Sequence, residues 1–324
     1  MISTRSLTKD FVVSRTQTVH AVRGISLAVE PGELVAVLGP NGAGKTTTMR
    51  MLTTLIAPTA GTATVAGYDV RSDPAQVRRR IGYVGQGNGA GHAQRVGDEL
   101  HGQGVIYGLD RRGAKRRTGE LLEALDLTDL AKRKVSDLSG GQRRRLDVAM
   151  GLVHAPSLLF LDEPSTGLDP QNRANLWDHI LRMRSEYDMT IMLTTHYLDE
   201  ADSMAERVVV VDNGEVIADD TAEGLKANLA GDQLAVTVAP GNVSRLRELA
   251  DRLPGSREVI AEGNRVTVRV ADGPGTLPTL LAAAQQDGLG VTAAQVHRPT
   301  LDDVFLTLTG RSLREAGSTG KVAA

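Results

Sequence analysis

Chemistry is most concentrated in Gly39-Pro40-Asn41-Gly42-Ala43-Gly44-Lys45-Thr46-Thr47, a glycine-rich turn with the spacing G-x-x-x-x-G-K-T. Phosphate oxygens are met by backbone N–H groups from several directions, and residues without a Cβ, here Gly39, Gly42 and Gly44, let the chain wrap that closely. A helix opening at the end of the turn points its N-terminus at the anion. In that setting the Lys45 ammonium bridges the outer phosphates and the Thr46 hydroxyl is placed to ligate Mg²⁺. Most glycine-rich turns only reverse the chain. Here the apolar run Leu34-Val35-Ala36-Val37-Leu38 precedes the turn and a helix-compatible stretch follows, which is the context a phosphate-binding loop requires.

A second chemical centre is Asp162-Glu163, behind the continuous apolar run Leu158-Leu159-Phe160-Leu161. Such a run predicts a central parallel strand buried on both faces, and its C-terminal end falls at the ligand-bearing edge of an open α/β sheet. Asp162 is suited to hold Mg²⁺ and Glu163 to act on an attacking water. The run Thr190-Ile191-Met192-Leu193-Thr194 predicts another strand that delivers His196 to the same edge, where it either reaches a terminal phosphate or serves structure. Ser139 and Gln142 have capping-box spacing across Gly140-Gly141, so a helix is expected to begin there with exposed amides, a second anion-binding terminus. One phosphate chain does not need two of these unless the site is assembled from two copies. Gln86, after Ile81-Gly82-Tyr83-Val84, reads alone as a polar loop residue and takes its meaning from its company, and Phe11, in a β-rich stretch, reads as a core aromatic or a ring stacked on a base.

The elements that position these groups follow from periodicity. Ile2 to Glu30 alternates short β-rich pieces with polar turns, predicting an antiparallel edge subdomain. Arg95 to Arg133 is helical in pattern, with an apolar face of Leu121, Leu122, Leu125 and Leu127 and basic clusters at Arg111-Arg112 and Lys115-Arg116-Arg117. Beyond Thr221 the predicted order is strand, helix, strand, strand, helix, strand, compatible with a small ferredoxin-like sandwich. It carries no paired carboxylates with a nucleophile and no metal cluster, so a packing, dimerising or regulatory role is expected. The expected boundaries are 1–225 and 226–310, with Arg311 to Ala324 a disordered tail.

With 324 residues and a net charge of −2, the chain lacks the basic excess of a nucleic-acid binder, and none is expected as a partner. It has no cysteine, which excludes disulfides and thiolate metal sites and fits a reducing compartment. Its apolar runs are far shorter than the about 20 residues that span a bilayer, so work at a membrane needs another chain to bring it there.

Taken together and in order, these motifs resemble the ABC-type ATPases, the nucleotide-binding subunits of ATP-driven transporters, over residues 1 to about 225. The resemblance implies an α/β fold: a P-loop domain with a mixed sheet core, an antiparallel β subdomain and a helical subdomain, followed by the small α+β domain. It makes Phe11 the adenine-stacking aromatic, Gly39 to Thr47 the P-loop, Gln86 the Q-loop glutamine and Leu138 to Gln142 the signature. Glu163 becomes the catalytic glutamate, Thr166-Gly167-Leu168-Asp169 the D-loop and His196 the switch histidine. ATP would then lie between the P-loop of one copy, Asn41 and Thr47 included, and Ser139, Gly141, Gln142 and Asp169 of another. Mg²⁺ would be held through Thr46, Gln86 and Asp162, and charge on the γ-phosphate stabilised by Lys45 and His196. One set of motifs implies two copies, most simply a homodimer.

The ending Arg298-Pro299-Thr300-Leu301-Asp302-Asp303-Val304-Phe305 and the wording Leu138-Ser139-Gly140-Gly141-Gln142-Arg143-Arg144-Arg145-Leu146-Asp147 resemble the ATPase subunits of bacterial exporters of the daunorubicin-resistance type. That implies separately encoded membrane subunits, a place on the cytoplasmic face of the membrane, and efflux of a drug, lipid or glycoconjugate. Gly87 to Gly91 and Gly97-Asp98-Glu99-Leu100 depart from the more hydrophobic, threonine-containing form of that family. The competing reading is a soluble ABC ATPase that remodels nucleic acid or ribosomes. Against it stand the lack of coiled-coil arms between Gln86 and Leu138 and the single cassette. Glu163 and His196 together argue against a catalytically impaired cassette, and the C-terminal ending argues against an importer.

Overall fold

A computed structural model describes residues 1–312; apart from Arg311 and Ser312, the tail expected to be disordered lies outside the described residues. The chain divides into two compact units, Met1–Asp219 and the part from Asp220 onward.

The first unit opens with β1 (Ile2–Ser14), β2 (Gln17–Ile25), β3 (Ala28–Val29), β4 (Leu34–Leu38) and α1 (Lys45–Leu52). Then come β5 (Ala60–Val65), β6 (Tyr68–Asp69), α2 (Pro74–Arg80), β7 (Ile81–Val84), α3 (Val96–Ile106), α4 (Arg111–Ala124) and α5 (Gly140–Leu152). The chain returns through β8 (Leu158–Asp162), α6 (Pro170–Tyr187), β9 (Thr190–Thr195), α7 (Leu198–Met204), β10 (Arg207–Asp212) and β11 (Glu215–Asp220). β1, β2, β3, β5 and β6 form the expected antiparallel sheet.

The second sheet has the order β11-β10-β4-β9-β8-β7, with parallel pairing from β10 through β7. Every residue of β4, β8 and β9 is buried, which explains why their sequences are unbroken apolar runs with threonine rather than alternating patterns. Register does the positioning. Leu38 lies opposite Thr195 and Asp162 opposite Thr194, so the strands carrying the P-loop, the carboxylates and His196 end together. Val84 opposite Leu161 brings the segment leading to Gln86 to that edge as well.

The stretch Arg95 to Arg133, expected to be helical throughout, is two helices. Gly108, at φ 90°, breaks the pattern, and the Asp110 carboxylate caps α4 by accepting from Gly113 N at 2.8 Å. α4 buries Ala114, Thr118, Leu121 and Leu122, one stripe at helical spacing.

The second unit contains α8 (Ala222–Leu225), β12 (Asp232–Val238), α9 (Val243–Asp251), β13 (Arg257–Glu262), β14 (Arg265–Val270), α10 (Gly273–Gln286), β15 (Val291–His297) and α11 (Leu301–Thr309). Its sheet has the order β13-β14-β12-β15, antiparallel throughout, the ferredoxin-like arrangement of a strand-helix-strand-strand-helix-strand unit. Alternate residues Val266, Val268 and Val270 of β14 enter a core with Leu234 and Val236 of β12, Leu246 of α9 and Leu280 of α10. α11 starts in a capping box of Thr300 and Asp303 and ends at Gly310, at φ 72°.

Candidate functional site

The turn between β4 and α1 shows what its glycines are for. Gly42 and Gly44 are left-handed at φ 82° and 100°. A Cβ on Gly39 would stand 2.2 Å from Val211 O, and one on Gly44 would stand 2.5 Å from Ala21 O. Backbone thus packs on backbone at both positions, and within the turn Ala43 N donates to Pro40 O at 3.2 Å, so the chain curls in the tight form an anion cradle needs. Asn41 to Thr47 line a cleft of about 470 Å³ together with Gln86 and Glu163. Its far wall comes from β2, through Val19, Ala21 and Arg23, and from Asn213.

Lys45 is buried and donates from Nζ to Gly39 O at 2.6 Å and Pro40 O at 3.0 Å, with Glu163 Oε1 3.8 Å away. Burial holds its ammonium below the ordinary lysine range, although Glu163 and Asp162 pull the other way. Oxygen ligands gather around Asp162. Its Oδ1 accepts from Thr46 Oγ1 at 2.9 Å and from Thr194 Oγ1 at 2.7 Å, and Gln86 Nε2 donates to Thr46 Oγ1 at 3.1 Å. A hydroxyl, a carboxylate and a carboxamide in one cluster are hard ligands of the kind Mg²⁺ takes beside phosphate.

Glu163 follows β8 with φ 47°, a left-handed conformation uncommon outside glycine, asparagine and aspartate. Its N–H donates to both Thr194 O and Thr194 Oγ1, each at 3.1 Å, so β9 holds the turn that aims its side chain. The carboxylate meets His196 Nδ1 at 3.3 Å and accepts from Thr166 Oγ1 at 3.2 Å. Burial pushes its pKa up, but His196, Lys45 and Thr166 outweigh that and hold it below the ordinary glutamate range. It is therefore ionised near neutral pH, beside a cleft and within reach of a lysine and an imidazole: a base with electrophilic neighbours.

Ser139 caps α5 in the expected box: Gln142 N donates to Ser139 Oγ at 3.3 Å and Ser139 N to Gln142 Oε1 at 3.0 Å. Asp169 caps α6 in the same way, accepting from Asn172 N at 2.9 Å. Neither these residues nor Gly141 lines the P-loop cleft of its own chain. Phe11 does not line it either. It is 40% exposed on β1, opposite Val19 of β2, and Val19 is the cleft residue.

Sequence reading missed the side chains that tie the motifs together. Arg144, on α5, donates to Pro164 O at 2.6 Å and Gly85 O at 2.7 Å, and more loosely to Asp162 O at 3.3 Å. One turn on, Asp147 Oδ1 accepts from Gly89 N at 3.0 Å and Ala90 N at 3.2 Å, and burial pushes its carboxyl up. The glycine-rich segment after Gln86 is thus pinned to the helix that Ser139 caps. Its only signal was that Arg144 and Asp147 lie close in helical register; which way they point depends on loops 57 to 59 residues away.

Sequence comparison agrees with this construction. The ABC transporter family matches residues 22–166, and the ATP-binding protein DrrA1-3-like, C-terminal domain matches residues 221–309. The daunorubicin resistance ATP-binding protein DrrA2 of Streptomyces coeruleorubidus is 43% identical over 90% of this chain and 91% of its own. The linearmycin resistance ATP-binding protein LnrL of Bacillus subtilis is 34% identical over 91% of this chain and 95% of its own. Among solved structures, the dimeric post-hydrolysis ATP-binding cassette MJ0796 bound to ADP and Pi shares the fold, with a TM-score of 0.63 and 23% identity over 68% of this chain and 98% of that one. The chain belongs to the ABC transporter family, as an ATP-binding subunit of the daunorubicin-resistance type.

Proposed function

We propose that this chain binds Mg-ATP at the P-loop cleft, hydrolyses it with Glu163 as general base, and so powers an exporter whose membrane-spanning subunits are separate chains. The observation that carries the reading is the register that ends β4, β8 and β9 together, so that Lys45, Asp162, Glu163 and His196 share one edge. Glu163 accepts a proton from the water that attacks the γ-phosphorus as the bond to the ADP oxygen breaks. Lys45 and His196 oppose the charge that builds on the γ-phosphoryl oxygens. Thr46, Gln86 and Asp162 are the residues that would hold Mg²⁺. Mg²⁺ held there would supply positive charge against the phosphates. Asn41, Gly42, Gly44 and Thr47 supply the phosphate cradle, and Phe11 the stacking face for adenine.

A second copy supplies Ser139, Gly141 and Gln142 at the start of α5 and Asp169 at the start of α6, because neither helix terminus lines its own chain's cleft. The coupling runs through partner subunits at the membrane's cytoplasmic face; among the described residues no helix is itself long and apolar enough to cross a membrane. The relatives named for daunorubicin and linearmycin resistance favour an exported drug or antibiotic over a soluble remodelling role. The ferredoxin-like unit serves dimerisation or regulation.

The test is Glu163→Gln beside wild type. The variant is expected to keep Mg-ATP affinity, to accumulate as a dimer in light scattering, and to lose turnover by about 100-fold or more, the usual worth of a general base. Unchanged turnover would sink the base assignment. Stimulation by DNA or ribosomes, and none by membranes carrying the partner, would sink the transporter reading.

A further inference from the structure

We propose that Glu200, the third residue of α7, is the positioning residue for His196. The proposal rests on the reading of His196 as a phosphate contact. Glu200 is 3% exposed, and its two oxygens serve different segments. Oε2 accepts from Thr195 Oγ1 at 2.8 Å. Oε1 accepts from Ser165 Oγ and from Trp177 Nε1, the latter at 3.2 Å.

The direction of each bond follows from proton counting. An amide N–H can only donate, so Tyr197 N, 2.9 Å from Thr195 Oγ1, gives its proton to that oxygen. The hydroxyl's own proton then goes to Glu200. The two neighbours of His196, Thr195 and Tyr197, are therefore fastened to one buried carboxylate by a chain of two hydrogen bonds. Arg173 completes the frame, with its guanidinium 4.0 Å from the Tyr197 ring centroid and its Nε 3.8 Å from Glu200 Oε1. The Tyr197 ring in turn lies 4.3 Å from the imidazole, centroid to centroid.

The same carboxylate reaches the other catalytic element. Ser165 sits two residues after Glu163, and Glu163 Oε2 is 3.3 Å from His196 Nδ1. Glu200 thus ties together the segments on both sides of the Glu163–His196 contact through bonds to Ser165 and Thr195 that are themselves buried, so a backbone shift in either segment strains one of them. Both oxygens of a buried carboxylate need partners in any role; what favours positioning is that one of them is satisfied by Thr195, the residue next to His196.

The experiment measures single-turnover ATP hydrolysis and ATP affinity in the full chain for Glu200→Gln and Thr195→Val, each alone and combined with His196→Ala. Each single variant is expected to slow hydrolysis by about 10- to 100-fold, the effect of a misplaced catalytic group, while ATP affinity stays within about twofold. Thr195→Ser, which keeps the hydroxyl, restores most of the rate. On the His196→Ala background neither substitution slows hydrolysis further, because the group they position is gone. If Glu200→Gln does not fold, Thr195→Val carries the test. A slow His196→Ala with full-speed Glu200→Gln and Thr195→Val overturns the positioning role alone, as does a further multiplicative loss on the His196→Ala background. Wild-type turnover in His196→Ala overturns the phosphate-contact reading and this proposal with it.

Discussion

Replacing Arg144 by Met keeps the stem of a buried side chain and removes its guanidinium. Arg144 is 7% exposed, and two of its bonds are short: 2.6 Å to Pro164 O and 2.7 Å to Gly85 O. Hydrogen bonds from a charged donor contribute about 1.5 to 3 kcal/mol each, so the pair accounts for about 3 to 6 kcal/mol. Removing a guanidinium whose ionised form burial disfavours returns part of this, which places the expected loss in the lower half of that range. The chain's only tryptophan, Trp177, lies on α6 in the first unit, so its fluorescence during urea unfolding follows the relevant unit. Turnover should fall as well, because Gly85 O anchors the residue next to Gln86.

The loss also has a pH signature. Arg144 pulls the Asp147 carboxyl down against the burial that pushes it up, so Arg144→Met raises Asp147 further. A carboxyl raised on folding adds stability below its unfolded pKa and loses it as pH rises through the folded value. The destabilisation by Arg144→Met is therefore expected to be smaller at mildly acidic pH than at pH 8, and smaller again when Asp147→Asn is added. A loss below about 1 kcal/mol would refute the claim that Arg144 joins α5 to the ends of β7 and β8. A loss independent of pH would refute its coupling to Asp147.

Two further expectations concern the same edge. Lys45 is held below the ordinary lysine value of 10.5 chiefly by burial, so the folded chain binds this proton more weakly than the unfolded one; that costs stability near neutral pH and is relieved as pH rises through the folded value. In turnover, the alkaline limb of kcat/KM should fall below 10.5, and that of kcat should lie higher because bound phosphate restores the charged form; a kcat/KM flat past 10.5 contradicts the role of Lys45. Gly39→Ala drives a methyl to 2.2 Å from the Val211 carbonyl, whereas Gly141→Ala meets side-chain atoms of Asn172 alone, Oδ1 at 2.5 Å, Cγ at 2.8 Å and Cβ at 3.2 Å. The first should cost about 2 kcal/mol or more in urea unfolding and the second about 1 kcal/mol or less; equal costs would show that the backbone yields at Gly39.

What was legible in the sequence is what the backbone settles locally. Gly42 and Gly44 announce their left-handed turn, Ser139 and Gln142 their capping box, and Leu158 to Leu161 a strand buried on both faces, since each pattern answers a need met within a few residues. The alternation of β12 and β14 likewise carried the strand order of the second unit. α10 starts at Gly273-Pro274-Gly275, residues that resemble a loop, although Pro in the first turn and the Asp272 cap make them a sound helix start.

The side chains that hold the site together were opaque for the opposite reason. Arg143, Arg144 and Arg145 are consecutive in the sequence, yet each donates to carbonyls of a different segment: Val135, Gly85 with Pro164, and Leu125. Successive helix positions point about 100° apart, so a run of like charges on a helix can be three unrelated anchors. Which of them is buried depends on loops that arrive from elsewhere in the chain. Glu200 is the same case, the second of two consecutive acids, Asp199-Glu200, whose burial only the packing of α6 and β9 decides. The motifs therefore name the groups that can meet ATP, while the precision with which they meet it resides in buried polar residues that no local pattern marks. Substitutions at Arg144, Asp147 or Glu200 should accordingly change turnover while the motifs stay intact.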